Sequence, residues 1–512
     1  MLFDSYIFIL IFLPIVAAIF FLGSARFQRK LSIAWLVLAS LFFYAWWNPI
    51  YLPLMIGSIL FNFYVALALR KAKKHYAAHS LPLLIIGIVG NLLLLGYFKY
   101  FNFFIDNLNL VLNTDLYVAP IILPLAISFF TFTQITYLVD AYSYDTEDYD
   151  LVHYMLFVTF FPHLLAGPII HHAEIMPQFD RDETYRLNRR NIQLGLSIFA
   201  IGLFKKTILA DNIFAFSNPF FLAADAGNSL STYEAWEGAI AFSLRVYFDF
   251  SAYTDMAIGS ARLFGIKLPI NFYSPFKSLN TAEFWRRWHM SLTRLITEYI
   301  YSPISISMAR KAIAANSGAQ VVFWKSIAYP LVVTFVIVGV WHGAGWNFAI
   351  YGALQGVMII VNNLWRQFRK NVLKHDLQHT TLAGRILSRG LTSACFIFTL
   401  VFFRAGTTDG ALTMAATMLG LNENGLTTGP FFSGNFLLFA VLYFAIIFFL
   451  PNTQQFFAEH EPSLEPKRKE KLWGLEKMAW APTRPWAIIC SVLFALGLLN
   501  LGTEIEFVYL QF

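Results

Sequence analysis

The chain has 512 residues, of which 58% are apolar and only 13% charged, with a mean hydropathy of +0.58. A soluble globule carries about 25% charged residues because its surface faces water. The two cysteines, Cys395 and Cys490, lie in apolar runs and exclude a disulfide framework. The formal charge of +7 resides in connections between apolar runs, so it does not indicate nucleic acid. With 54 Phe, 24 Tyr and 13 Trp, the composition is that of an all-α polytopic membrane protein whose outer wall faces lipid.

Met1 to Asp4 carries no positive charge, and Arg26, Arg29 and Lys30 follow the first apolar run. That order excludes a cleavable signal and places the N-terminus outside the cytoplasm by the positive-inside rule. Candidate spans of roughly 20 residues are 5–24, 31–47, 50–69, 81–105, 118–139, 151–170, 191–204, 233–263, 326–341, 346–365, 391–405, 433–450 and 486–503. The basic connections 24–30, 70–74, 181–190, 366–374 and 467–471 are expected inside; 106–119, 207–232 and 406–432 lack Lys and Arg and are expected outside. About eleven of these segments are full spans, and residues 1–512 form one membrane-embedded unit.

Segment 151–170 conflicts with the sidedness of its neighbours and ends in Leu165-Ala166-Gly167-Pro168, which breaks a helix. It is expected to dip in and return, and non-helical backbone at that depth requires surrounding protein or a wet cavity. The alternative is a plain span with a misjudged neighbour. Region 274–305, with Trp285, Arg286, Arg287, Trp288 and His289, is too polar to face lipid. It should be amphipathic, lying on the membrane or folding back into it. No internal repeat is evident, which disfavours a transporter.

Ionisable side chains inside a membrane ask for a partner or a purpose. His342 lies in Val338 to Asn347 between two apolar runs, a helical hairpin with its tip at Gly343 and Gly345. Walled by Trp341 and Trp346 and followed by Asn347, its imidazole would face a pocket, where desolvation keeps it neutral and able to accept a proton. The alternative is a core histidine bonding a carbonyl. On a helix, Trp285 and His289 share a face at i,i+4, while Arg286 and Arg287 suit the phosphates of an acyl carrier or lipid headgroups. Arg245 and Asp249 are spaced to pair; Asp255 needs another partner, and a structural role in locking helices is favoured for this cluster. His163, His171 and His172 flank the Gly167-Pro168 break and carry no evident role. The histidine spacings match no standard metal site, and neither a nucleotide-binding glycine loop nor a nucleophile elbow occurs.

Several motifs in order resemble the membrane-bound O-acyltransferase family, closest to bacterial alginate and peptidoglycan O-acetylation proteins. They are Tyr97 to Phe104 (YFKYFNFF), Phe161 to Pro168 (FPHLLAGP), Tyr247 to Ala257 (YFDFSAYTDMA), Trp285 to Leu292 (WRRWHMSL), Val340 to Gly345 (VWHGAG) and Phe507 to Phe512 (FVYLQF). The teichoic-acid D-alanylation protein is a more distant likeness. The resemblance implies a ring of tilted helices around a thin centre with a funnel and a tunnel. It implies that His342 is the essential histidine and His289 the second polar position. Substrate or carrier contacts are expected from Trp285, Arg286, Arg287, Trp341, Trp346, Asn347, Asp249, Tyr253 and Asp255. A cytoplasmic thioester such as acetyl-CoA would be the donor, with no bound cofactor. A periplasmic acetyltransferase and polysaccharide-pathway proteins would be partners, in a bacterial inner membrane. His163 stands where a glutamine is usual, and Thr297-Glu298-Tyr299 and Pro303-Ile304-Ser305 replace an Arg-Asp-Tyr stretch and a Pro-Leu-Gly-Gly turn, which leaves the final acceptor open. Competing readings are D-alanyl transfer, a proton-coupled transporter or flippase using the same histidines, and an assembly scaffold.

Overall fold

The computed structural model describes residues 1–26, 29–144, 149–375, 381–422, 434–465 and 478–502, and among these every regular element is helical. The closing FVYLQF motif and the basic connection 467–471 lie outside the described residues.

Among the described residues six helices are long and apolar enough to cross a membrane: Pro49–His75, Ser80–Leu112, Arg189–Phe216, Ala319–His342, Trp346–Asn371 and Leu382–Arg404. Phe8–Gly23, Asn435–Phe449 and Arg484–Leu499 are shorter apolar helices. Local chemistry sets their ends. Leu52–His75 starts with proline in its first turn and carries Lys73 and Lys74 in its last, cations at the negative end of the helix dipole.

Thr232–Leu263 is the interior axis. A capping box between Ser231 and Glu234 starts it, and from Ala235 onward nearly every side chain is buried. At 32 residues it extends for about 48 Å. It meets Arg189–Phe204 at Gly195 and Gly259, where a Cβ on either glycine would stand 2.7 Å from the other's carbonyl oxygen. Only small residues let two helix backbones approach that closely.

One of the three irregular regions departs from expectation and two follow it. Residues 118–139 do not form one span: the chain is non-helical through residue 124, and the helix is Ile127–Ser143. Pro120 and Pro124 withhold backbone donors from any earlier start. Segment 151–170 breaks as expected. Leu151–Thr159 stops at Phe160, a short turn covers Phe161–Leu164, and the chain leaves through Gly167-Pro168 towards His172–Phe179. Nine residues rise only about 13 Å, well short of a bilayer core, and residues 156–170 are all buried in protein. Region 274–305 takes the second of its two expected courses and folds inward. Its helices Thr281–Trp285 and Met290–Ile296 bury Trp285, Trp288 and His289.

The hairpin of Tyr329–His342 and Trp346–Asn371 is packed through glycine. A Cβ on Gly352 would lie 2.1 Å from the Phe335 carbonyl oxygen, and one on Gly339 2.1 Å from that of Phe348. Gly352→Val should therefore force the helices apart at a cost of about 1–3 kcal/mol or more. Its thermal midpoint in detergent should fall clearly below wild type, and an unchanged midpoint would refute this packing.

Candidate active site

His342 is the last residue of Tyr329–His342. Gly343 and Gly345 follow in extended conformations that any residue adopts. Glycine is needed at 343 for room instead: a Cβ there would meet the Phe348 ring at 2.1 Å. The imidazole stands edge-on to Trp341 at 4.8 Å and to Phe403 at 5.1 Å between ring centroids. It is 5% exposed and lines a cavity of about 510 Å³ with Met1, Trp46, Lys99, Leu125 and Trp341. This cavity lies at the end of the hairpin remote from Arg369 and Lys370, which occupy the last turn of Trp346–Asn371.

The end of the His342 helix is capped from another segment. Lys99 Nζ donates to the carbonyls of Trp341 at 2.5 Å and His342 at 3.0 Å, and Tyr100 Oη donates to that of Val340 at 2.8 Å. The YFKYFNFF and VWHGAG motifs, some 240 residues apart, thus form one unit. Lys99 was missed from the sequence, although a lone cation in an apolar run is the signal that could have found it.

His289 does not share a helical face with Trp285. The helix ends at Trp285, and His289 has φ +41° ahead of Met290–Ile296, a conformation costly for a residue with a Cβ. Its Nδ1 lies 3.3 Å from Asn271 Oδ1. That oxygen also accepts from Ser291 N at 3.4 Å and Ser291 Oγ at 2.6 Å. A backbone N–H can only donate, so the atom is an acceptor, and a neutral His289 carries its proton on Nδ1 and a lone pair on Nε2. Ser291 Oγ in turn accepts from Ile169 N at 2.9 Å, tying the 151–170 segment to the His289 support. His289, His342 and Lys99 are close enough to interact electrostatically.

The other expected residues divide. Trp341 packs between Phe129 and Phe132 and walls the cavity. Trp346 does not: it is 59% exposed and donates to Asn107. Asn347 is buried and donates to the Ala405 carbonyl, and Trp285 donates to Gln355. Arg287 pairs with Glu283 at 2.9 Å, whereas Arg286 is exposed. Asp249 pairs with Lys206 at 3.2 Å, and Lys206 also holds Asp211 at 2.7 Å. Asp255 finds its partners in Lys205 at 2.8 Å and Thr453 at 2.6 Å. Tyr253 stacks on Phe3. None of Asp249, Tyr253 and Asp255 is among the residues lining the His342 cavity.

His163 is a satisfied core histidine, its Nε2 3.0 Å from the Phe157 carbonyl. His171 and His172 are less bland than expected. With Tyr299 they surround Asp140, at 2.9 Å, 3.2 Å and 2.8 Å. His171 Nδ1 accepts from Ala173 N at 3.3 Å, which leaves its Nε2 to donate. The cluster is a hydrogen-bonded clamp joining Ile127–Ser143, the start of His172–Phe179 and the turn Thr297–Tyr301.

A second cavity, of about 580 Å³, is lined by Glu174, Arg181, Lys267, Tyr273, Gln454 and Glu465. Ile270 and Gln454 are shared with a small pocket of about 20 Å³ that reaches Asp255 and Asn271. The small pocket thus touches the residue that supports His289.

The model of the membrane-bound O-acyltransferase family matches residues 122–403, more than half of the chain. The chain belongs to that family. It is therefore a multi-pass membrane O-acyltransferase, and its substrate is an acyl donor. It is 42% identical over 448 residues to the peptidoglycan O-acetyltransferase of Helicobacter pylori, covering 82% of this chain and 80% of that protein. It is 33% identical to the probable alginate O-acetylase AlgI of Azotobacter vinelandii, covering 83% and 79%. The teichoic acid D-alanyltransferase of Bacillus subtilis is 29% identical, over 48% of this acyltransferase and 60% of its own length.

Asn271 belongs to no motif read from the sequence, yet it fixes the tautomer and direction of His289. Asn271→Ala should lower acyl transfer by about tenfold to a hundredfold, the scale of a misplaced reacting group. Combined with His289→Ala it should cost little beyond His289→Ala alone, because the pair acts as a unit. Additive losses in rate assays would show that Asn271 acts elsewhere.

Proposed function

We propose that this acyltransferase moves an acetyl group from a cytoplasmic thioester, acetyl-CoA or a chemical equivalent, to a hydroxyl acceptor at the outer face of the bacterial inner membrane. The product serves O-acetylation of an extracytoplasmic polysaccharide, peptidoglycan or alginate being the classes named for its relatives. The N-terminus lies outside, a separate periplasmic acetyltransferase takes the acetyl group onward, and residues 1–512 act as a single catalytic unit.

The observation that carries this reading is the position of His342, at a helix end inside a cavity at the hairpin tip, with His289 behind it. Arg369 and Lys370 mark the other end of the hairpin, so by the positive-inside rule the His342 cavity faces outward. The larger polar cavity, with Arg181 and Lys267, then faces the cytoplasm and admits the donor. The exposed Arg286 attracts the carrier's phosphates; Arg287, held by Glu283, is less free to do so.

The His342 imidazole accepts the proton of the acceptor hydroxyl as the hydroxyl oxygen attacks the thioester carbonyl carbon. The tetrahedral adduct collapses by breaking the carbon–sulfur bond, and the leaving thiolate takes the proton from the imidazolium. An ester and a free thiol result. His289, with its lone pair on Nε2, orients the donor. General-base assistance contributes about 10²–10⁴ in rate, and holding hydroxyl and thioester together supplies the proximity gain.

In proteoliposomes given radiolabelled acetyl-CoA, His342→Ala should reduce labelled ester formation by about 10²–10⁴-fold with unchanged insertion and folding. Retained transfer would eliminate His342 as the base. Efficient use of a D-alanyl thioester but not an acetyl thioester would replace the acetyl assignment.

A further inference from the structure

Lys99 lies in a π-helical turn, Gly96–Tyr100, within the apolar helix Ser80–Leu112. An ammonium there costs at least a few kcal/mol, and π turns concentrate at functional sites. Capping the hairpin does not call for a charge. Helix-end carbonyls need only a donor, and the neighbouring Tyr100 hydroxyl performs that service for Val340.

An ammonium has three N–H groups in tetrahedral array. Two are directed to the carbonyls of Trp341 and His342, which fix the nitrogen beside the His342 backbone. The third remains, and Lys99 lines the same cavity as His342. Among the described lining residues Lys99 is the one Lys or Arg, and no Asp or Glu is present to neutralise it. The reaction also leaves a role open. Addition to a thioester places negative charge on the carbonyl oxygen, and preorganised donors for such an oxyanion are commonly the largest single contribution to catalysis. His342 is occupied as the base. His289 directs its ring proton at Asn271, so its Nε2 accepts rather than donates.

We propose that Lys99 is a catalytic residue whose third N–H donates to the oxyanion formed on the acyl carbonyl oxygen. This rests on the reading of His342 as general base. As the acceptor oxygen bonds to the carbonyl carbon, the carbonyl π pair moves onto oxygen and Lys99 hydrogen-bonds to it without transferring its proton. When the carbon–sulfur bond breaks, the pair returns to re-form the carbonyl. The proton taken by His342 passes to the departing thiolate, so Lys99 ends the cycle unchanged.

The test compares Lys99→Met and Lys99→Arg with wild type in proteoliposomes. Each is assayed with an acetyl thioester and with the matching dithioester, in which sulfur replaces the carbonyl oxygen and accepts hydrogen bonds weakly. Lys99→Met should lower kcat for the thioester by about 10²–10³-fold, as loss of an oxyanion donor does, with the donor KM within about threefold. Its preference for the oxygen donor over the sulfur donor should shrink at least about tenfold. Lys99→Arg, which keeps a cationic donor, should restore part of both the rate and the preference. A purely structural cap would slow both donors equally, so an unchanged preference in folded, monodisperse Lys99→Met and Lys99→Arg overturns the proposal. His342→Ala, run alongside, should lose turnover with both donors at a constant ratio. If it stays active the base assignment fails, while the donor ratio still reports on Lys99.

Discussion

A backbone that leaves the helical conformation at membrane depth must find its hydrogen-bond partners inside the protein, because lipid offers none. Both histidine-bearing turns meet this constraint by borrowing groups from distant segments. The end of the His342 helix takes its donors from Lys99 and Tyr100. The turn at His289 is held by Asn271, which receives the Met290 N–H on its carbonyl at 2.9 Å and the histidine ring on its side chain. The break at Gly167-Pro168 follows the same rule through Ser291. Each irregular stretch is thereby fixed by another, and the positions of the two imidazoles follow from that mutual support.

The buried charges around the axial helix serve a different end. Lys206 bridges Asp249 and Asp211, and Lys205 joins Asp255. Breaking such a pair strands a charge in a medium that solvates it poorly. These pairs lock Lys205–Ala210 and the segment around Thr453 against Thr232–Leu263. A rigid axis matters to the site because Phe250, on that helix, packs edge-on to His289 at 4.8 Å. Asp249 and Asp255 thus reach His289 only indirectly, through the packing of this helix.

Hydropathy made most of the helices legible, since 20 apolar residues in water-free surroundings have few alternatives to a helix. It misplaced the start of Ile127–Ser143, where prolines rather than polarity set the boundary. His342 was legible because a polar residue between two long apolar runs has one plausible setting, a hairpin tip. Its tryptophan walls were only half right: Trp341 turns in and Trp346 out, and nothing in the spacing distinguishes them. The helical face shared by Trp285 and His289 was an error of local geometry, since one residue at φ +41° reverses the chain and cancels an i,i+4 argument. The Asp140 clamp and Asn271 were illegible for a further reason. Their partners lie between about eighteen and about 160 positions away in sequence, and only the fold brings them within bonding distance.

The two cavities differ in a way that bears on what can enter each. The His342 cavity is bounded mainly by Trp, Leu, Ile and Phe side chains with a single lysine, whereas the other contains Glu174, Glu459, Glu461 and Glu465. Four carboxylates suggest a strongly anionic lining. Two of the four are paired: Glu174 with Arg294 at 2.7 Å and Glu461 with Lys267 at 2.6 Å. Burial pushes the Glu465 carboxyl up to about 7, so near neutrality it is about half protonated. The lining of this cavity is therefore less anionic than its residue names suggest.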